Sequence, residues 1–171
     1  MVSPASGTTQ HQTLDTPGGM GWSDHRSWDY SYTQAGITPD RFSVTTSLNG
    51  VPYETTNCTS RPGGISLLTG AKPGDHVQNT EDCQDTINGA SVETGTGEVT
   101  GTEDLRVGAT HVMTVVVSWH QGSSSSSGTE TDWLVPSSGL LVQAIVSTDS
   151  TSGSQTTHTS AQVYLQDLMP S

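Results

Sequence analysis

"THVMTVVVSWHQGSSSSSGTETDWLV", residues 110–135, joins the most apolar run of the chain to five consecutive serines and then to a second apolar run. Within the first run His111, Met113, Val115, Val117 and Trp119 fall on one side of an extended chain, and Val112, Thr114, Val116 and Ser118 on the other. Both sides carry apolar residues, which is what a central strand covered on both faces requires. The serine block can bury nothing and marks an exposed hairpin end, so its two flanks are expected to pair as antiparallel strands.

The same period of two recurs along the chain. "FSVTTSL", residues 42–48, places Phe42, Val44, Thr46 and Leu48 on one face, and Asn49-Gly50 follows as a hairpin turn signal. "GLLVQAIVSTD", residues 139–149, and "SAQVYLQDL", residues 160–168, alternate in the same way. Turns are expected at Pro62-Gly63-Gly64 and Pro73-Gly74. Residues 75–91 hold Asp75, Glu81, Asp82 and Asp85 with few apolar residues and read as a loop. Residues 91–108, rich in Thr and Gly, read as two weak strands about a hairpin. No segment longer than about eight residues keeps the helical period. The expected fold is therefore all-β, an antiparallel β-sandwich or jelly-roll-like domain over residues 22–171. Flexible tips are expected at 121–130 and 149–158, and residues 1–21, with Pro4, Pro17 and "PGGMG", read as an extended N-terminal arm.

Composition limits the core and the partners. Leu, Ile, Val and Phe supply only 30 of 171 residues, and the formal net charge is −12. A core this thin points to burial against partner subunits as a further source of stability. Aspartate occurs 11 times and glutamate 6 times against one lysine, Lys72, while serine and threonine make 51 residues. Dense short carboxylates with few lysine stems suit concentrated salt, where their repulsion is screened; a secreted acidic bacterial domain is the other reading. Arg26, Arg41, Arg61 and Arg106 are scattered, so there is no basic stripe to displace counterions from nucleic acid or anionic lipid. The N-terminal residues lack a basic region followed by an apolar stretch, so no secretory signal is expected, and no apolar run is long enough for a helical membrane span.

Cys58 and Cys83 are the only cysteines and permit either one disulfide or two free thiols. A disulfide closing a loop of about 25 residues would contribute about 3 to 4 kcal/mol. Asn57-Cys58-Thr59 matches the glycosylation acceptor pattern. Two places hold potential cation ligands: Asp24 and His25 in "DHRSWD", and Asp75 and Asp82 in "GDHVQNTEDCQD", which lacks the spacing of a calcium loop. The six histidines form no metalloprotease pattern, and nucleophile-elbow and phosphate-loop motifs are missing. Adjacent carboxylates such as Glu81-Asp82 point to opposite faces of a strand and do not make a glycosidase pair. An enzyme is not expected, nor a cofactor beyond a structural cation.

Trp22, Trp28, Tyr30 and Tyr32 crowd into eleven residues of a chain with nine aromatics, and the last three share one strand face. Such a ladder serves either as a subunit contact or as a sugar-stacking platform. The acidic, nearly lysine-free, Thr/Gly/Ser-rich chain with its polar N-terminal arm resembles the small strand-rich structural proteins of head-tailed viruses infecting halophilic archaea. That resemblance implies a non-catalytic virion component, a capsid decoration or turret protein or a tail or connector part, assembled in the host cytoplasm as a homo-oligomer with other virion proteins. A secreted carbohydrate-binding or adhesion module is the alternative.

Overall fold

The computed structural model describes residues 9–17, 19–122, 126–152 and 155–164. Among them the chain forms eleven strands: β1 (Thr9–Pro17), β2 (Trp22–Tyr32), β3 (Gly36–Leu48), β4 (Val51–Ser60), β5 (Leu67–Leu68), β6 (His76–Asp85), β7 (Gly89–Val107), β8 (Thr110–Gly122), β9 (Ser126–Leu134), β10 (Leu141–Ser152) and β11 (Gln155–Tyr164). All pairings are antiparallel. The path is a meander, β1-β2-β3-β4-β6-β7-β8-β9-β10-β11, with the two-residue β5 attached to the start of β3. The fold is all-β, and its sheet curls through 248° into a half-barrel.

Curling brings the two limbs of one sheet face to face. Tyr32 and Ile37 from β2 and β3, and Leu67 from β5, pack with Val99, Val115, Val117, Trp119 and Leu134 of β7, β8 and β9. The connection after β9 closes one end. The Tyr32 hydroxyl donates to the Ser138 carbonyl, and Gly139 lies so close to Ile37 that a Cβ there would approach its Cδ1 to 2.5 Å. The outer face of β8 contributes to a second, smaller cluster, Val107, Val112, Val135 and Val142. The valine-rich strand is thus covered on both faces, and its Thr114 is fully buried with its hydroxyl donating to the Glu103 carbonyl.

Several elements depart from the sequence reading. Residues 76–85, expected as a loop, form β6, paired to β4 on one side and β7 on the other. Its inward positions are Val77, Asn79, Glu81, Cys83 and Asp85, mostly polar, so no hydrophobic alternation announces it. Residues 89–107 are one 19-residue strand rather than a hairpin. Gly95 and Gly97 are not turn residues; they lie beneath the Trp119 ring. A bulge between Val99 and Gly101 resets the register instead of reversing the chain. Part of the expected arm, Thr9–Pro17, is an edge strand on β2. The hairpin strands also run further than composition suggests, pairing Gly122 with Ser127 and Ser152 with Gln155. Threonine and serine suit a hairpin whose ladder satisfies the backbone without a buried face. The tip residues 123–125 and 153–154, the arm residues 1–8 and 18, and the end of the expected last strand at 165–168 lie outside the described residues.

Candidate functional site

Between the two limbs lies a cleft of about 150 Å³, lined from β2, β3, β6, β7, β8 and β9. Its aromatic wall follows from strand periodicity: Trp28 and Tyr30 share the inner face of β2, Phe42 stands directly opposite Trp28, and Trp119 faces them from β8. The Trp28 and Phe42 rings are 5.6 Å apart and tilted by 34°. A bulge in the β2–β3 pairing at Asp29/Tyr30 places Pro39 opposite Tyr30, which keeps Pro39 and Phe42 on the same wall.

The opposite wall is acidic. Glu81 on β6 is directly paired with Glu93 on β7, while Glu130 and Asp132, two apart on β9, share a face, with Glu130 opposite Trp119. Burial, and then the neighbouring Glu130, push the Asp132 carboxyl well above the usual carboxylate range, against a smaller opposing influence of the Trp119 N–H. Burial and the charge of Glu81 raise Glu93. Burial, followed by Asp132, Glu130 and Glu81, raises the Tyr30 phenol, which therefore remains a hydrogen-bond donor. Arg26 brings the one guanidinium into the cleft, its Nη2 3.5 Å from Asp24.

Four buried polar atoms on this lining have no hydrogen-bond partner: Arg26 Nε, Asn79 Oδ1, Trp119 Nε1 and Asp132 Oδ1. The Trp119 N–H is near enough to Asp132 to favour its carboxylate, but the two do not meet in hydrogen-bonding geometry. Asn79 is oriented by its amide, which donates to Glu81 at 2.7 Å and to Ser60 at 3.5 Å, leaving its carbonyl oxygen free.

The residues singled out in the sequence are distributed as follows. Trp28 and Tyr30 are half-buried on the cleft wall, and Tyr32 is buried in the core beyond it. Trp22 alone stands at the outer rim, where its ring meets Tyr53 edge-on at 5.4 Å. Asp24 and His25 project to opposite faces: Asp24 accepts from Thr46, whereas His25 meets Asp15 on β1 at 2.7 Å. Asp75 accepts from the Lys72 N–H in the turn before β6, and Asp82 forms a two-pronged pair with Arg61. The fold brings none of these four together as a cation site.

Cys58 on β4 and Cys83 on β6 are directly opposed and form a disulfide. With Glu81 they place three potential ligand atoms within 4.8 Å of one another, a cluster capable of coordinating a metal ion. Thiolates, not disulfide sulfurs, are the metal ligands, so while the bond stands Glu81 is the only ligand left. Sequence reasoning missed Asn79, Glu81, Glu93, Trp119, Glu130 and Asp132 as a group. Only the register of a curled sheet unites residues so far apart in the chain, and no local spacing encodes it.

Comparison with protein-family models, with curated proteins and with solved structures yields no match. The reading of function therefore rests on the sequence and the fold.

Proposed function

We propose that the chain is a non-catalytic structural subunit that assembles with copies of itself in a virion of a head-tailed virus of halophilic archaea, as a capsid decoration or turret component. A tail or connector part of the same kind of particle is the close variant. The observation that carries the reading is the state of the sheet's two ends. The edge strands β1 and β11 are unpaired on their outer sides among the described residues. Natural edges are normally blunted by lysine, inward charge, proline or bulges. β11, "QTTHTSAQVY", has no lysine, arginine, carboxylate or proline, and β1, "TQHQTLDTP", has one aspartate and a proline only at its end. Such edges suit pairing with the neighbouring copy, β11 against β1, in a head-to-tail ring.

An exposed apolar patch also supports assembly. At the end of the β2, β3 and β4 hairpins an apolar patch is left open, with Met20 95%, Val51 66% and Tyr53 60% exposed beside Trp22 and Leu48. Beside the patch the Asn49 N–H donates to the Gly21 carbonyl.

Sedimentation in molar KCl tests the reading. A closed oligomer is expected at micromolar concentration, weakened at least tenfold by Thr13→Lys or Ser160→Lys on the two edges. A stable monomer with both edges unaltered overturns it.

A further inference from the structure

We propose that Cys58, Cys83 and Glu81 form a zinc site in the reduced chain, the ion taking over from the disulfide as the tie between β4 and β6. This goes beyond the assembly reading and does not depend on it, since all three ligands lie within one chain. The site is also separate from Asp24, His25, Asp75 and Asp82, the cation ligands expected from the sequence.

Cys58 and Cys83 are directly opposed on β4 and β6, and Glu81 precedes Cys83 by two residues, so all three share one face of the sheet. Facing positions of an antiparallel pair bring Cβ atoms to about 4.5–5.5 Å, and the diagonal position is still within reach of a long side chain. Two thiolates at the usual zinc–sulfur length of about 2.3 Å stand about 3.8 Å apart on a tetrahedral ion, a separation that side-chain rotation supplies at opposed positions. The two sulfurs and a Glu81 oxygen already lie within 4.8 Å of one another. The carboxylate is held in place as well: Ser60, opposite Glu81 on β4, donates to its Oε1 at 3.1 Å, and the Asn79 amide donates to the same oxygen at 2.7 Å. Partners of this kind orient a ligating side chain, and both fall on one oxygen, which leaves Oε2 for the metal.

Two thiolates and a carboxylate select a borderline-soft divalent ion, zinc above all, over magnesium or calcium, which take oxygen ligands. The surrounding charge favours a cation too. Glu93 stands directly opposite Glu81 on β7, a like-charge pair of the destabilising kind, and among the described residues no lysine or arginine reaches either carboxylate. A divalent ion on Glu81 offsets that repulsion. Reduction and loading balance as two steps. A dithiol gives two electrons and two protons to the Cys58–Cys83 bond, which breaks to two thiols while the dithiol closes to its own disulfide. Zn²⁺ then displaces one proton from each Sγ and coordinates both sulfurs and Glu81, with water in the fourth position. The cysteines are only 3% and 4% exposed, but the β4–β6 ladder, with five residue pairs, is the shortest along the described meander, so local opening there admits the reductant and the ion.

The test uses the full chain in molar KCl, reduced anaerobically with a water-soluble phosphine, freed of excess reagent and titrated with Co²⁺ as a spectroscopic stand-in for zinc. One Co²⁺ per chain is expected, with a thiolate-to-cobalt charge-transfer band and the strong d–d bands of a tetrahedral site, and stoichiometric Zn²⁺ should bleach both. Zinc should bind with a Kd on the order of 1 μM or tighter. The oxidised chain, identical in sequence, should give no thiolate band. Glu81→Gln keeps both thiols and should weaken zinc about tenfold or more, while Asp82→Asn, on the opposite face of β6, leaves the affinity unchanged. In concentrated urea, where the two thiols sit on an unfolded chain, the affinity should fall by a similar factor. If reduction alone unfolds the chain, one equivalent of Zn²⁺ should restore its folded circular dichroism in the wild type and not in Glu81→Gln; failure to restore it overturns the proposal. A reduced wild type without a thiolate band overturns it as well, as does equal affinity in the oxidised chain, in urea or in Glu81→Gln.

Discussion

Gly97 on β7 sits directly opposite Trp119 on β8, and the indole occupies the space where a side chain would begin: a Cβ at Gly97 would lie 3.0 Å from Trp119 and 2.8 Å from Val77. Both neighbours are buried, and both belong to the main core cluster. Neither can retreat without opening the packing that joins the two limbs. Gly97→Ala is therefore expected to destabilise the chain by about 1–3 kcal/mol, measured by chemical denaturation in molar KCl. Gly101→Ala, where nothing lies within 4 Å of the added carbon, is the matched control and should be nearly neutral.

The same pair shows what the sequence could and could not disclose. Alternation made β8 legible, because both of its faces bury apolar groups. In β7 the inward positions include Glu93 and Gly95, and in β6 they include Asn79 and Glu81, all four on the cleft lining. These strands turn polar or vacant positions inward because the cleft is there. The residues that make the site thus erased the pattern by which strands are recognised, and glycines that accommodate an indole looked like turn residues. The aromatic half of the site was legible, since Trp28 and Tyr30 lie on one strand. The acidic half was not, because its members meet only through the long-range register of the sheet.

Cys58 and Cys83 tie β4 to β6 across a separation of 25 residues. The segment between them contains β5 and two turns, with few other constraints on the unfolded chain. Replacing both cysteines by serine is expected to cost about 3 kcal/mol, lowering Tm by on the order of 10 °C for a chain of this length. Calorimetry of the variant and of the reduced wild type should give similar losses, since both remove the same link. Zinc should restore part of the loss in the reduced wild type only, where Cys58, Cys83 and Glu81 become available together.

Two aspartates should give the stability curve opposite slopes with pH. Asp85 is buried; burial by itself would raise its carboxyl, but hydrogen bonds from Thr56 and from the Asn88 and Ile87 N–H groups hold it below the ordinary range. A lowered folded-state value contributes stability above the unfolded value of about 4, which is lost as pH falls through the folded value. Asp85→Asn should thus be destabilising at pH 7, with the difference from wild type shrinking towards pH 3. Asp132 is raised, through burial and Glu130. Its contribution is fully present below about pH 4 and declines as pH rises towards the folded value. Asp132→Asn should accordingly be neutral near pH 3 and stabilising relative to wild type at pH 7. Thermal unfolding of both variants from pH 3 to 8 checks the pair of slopes, and a parallel pH dependence for the two would refute the assignment.

Salt should act on the whole chain rather than on one site. With a net charge of −12 and a single lysine, repulsion among surface carboxylates opposes the compact state in dilute buffer. The screening length falls from about 10 Å at 0.1 M to about 3 Å at 1 M. Tm is therefore expected to rise steadily between these concentrations, equally for KCl and NaCl, because screening does not distinguish the cations. Glu98→Gln and Asp104→Asn, at exposed positions, should raise Tm in dilute buffer and lose that advantage in molar salt. A steep rise with millimolar MgCl₂ alone would point instead to a discrete cation site. A Tm independent of salt would mean that the acidic surface is not a burden the fold carries, and the adaptation to brine would have to be abandoned.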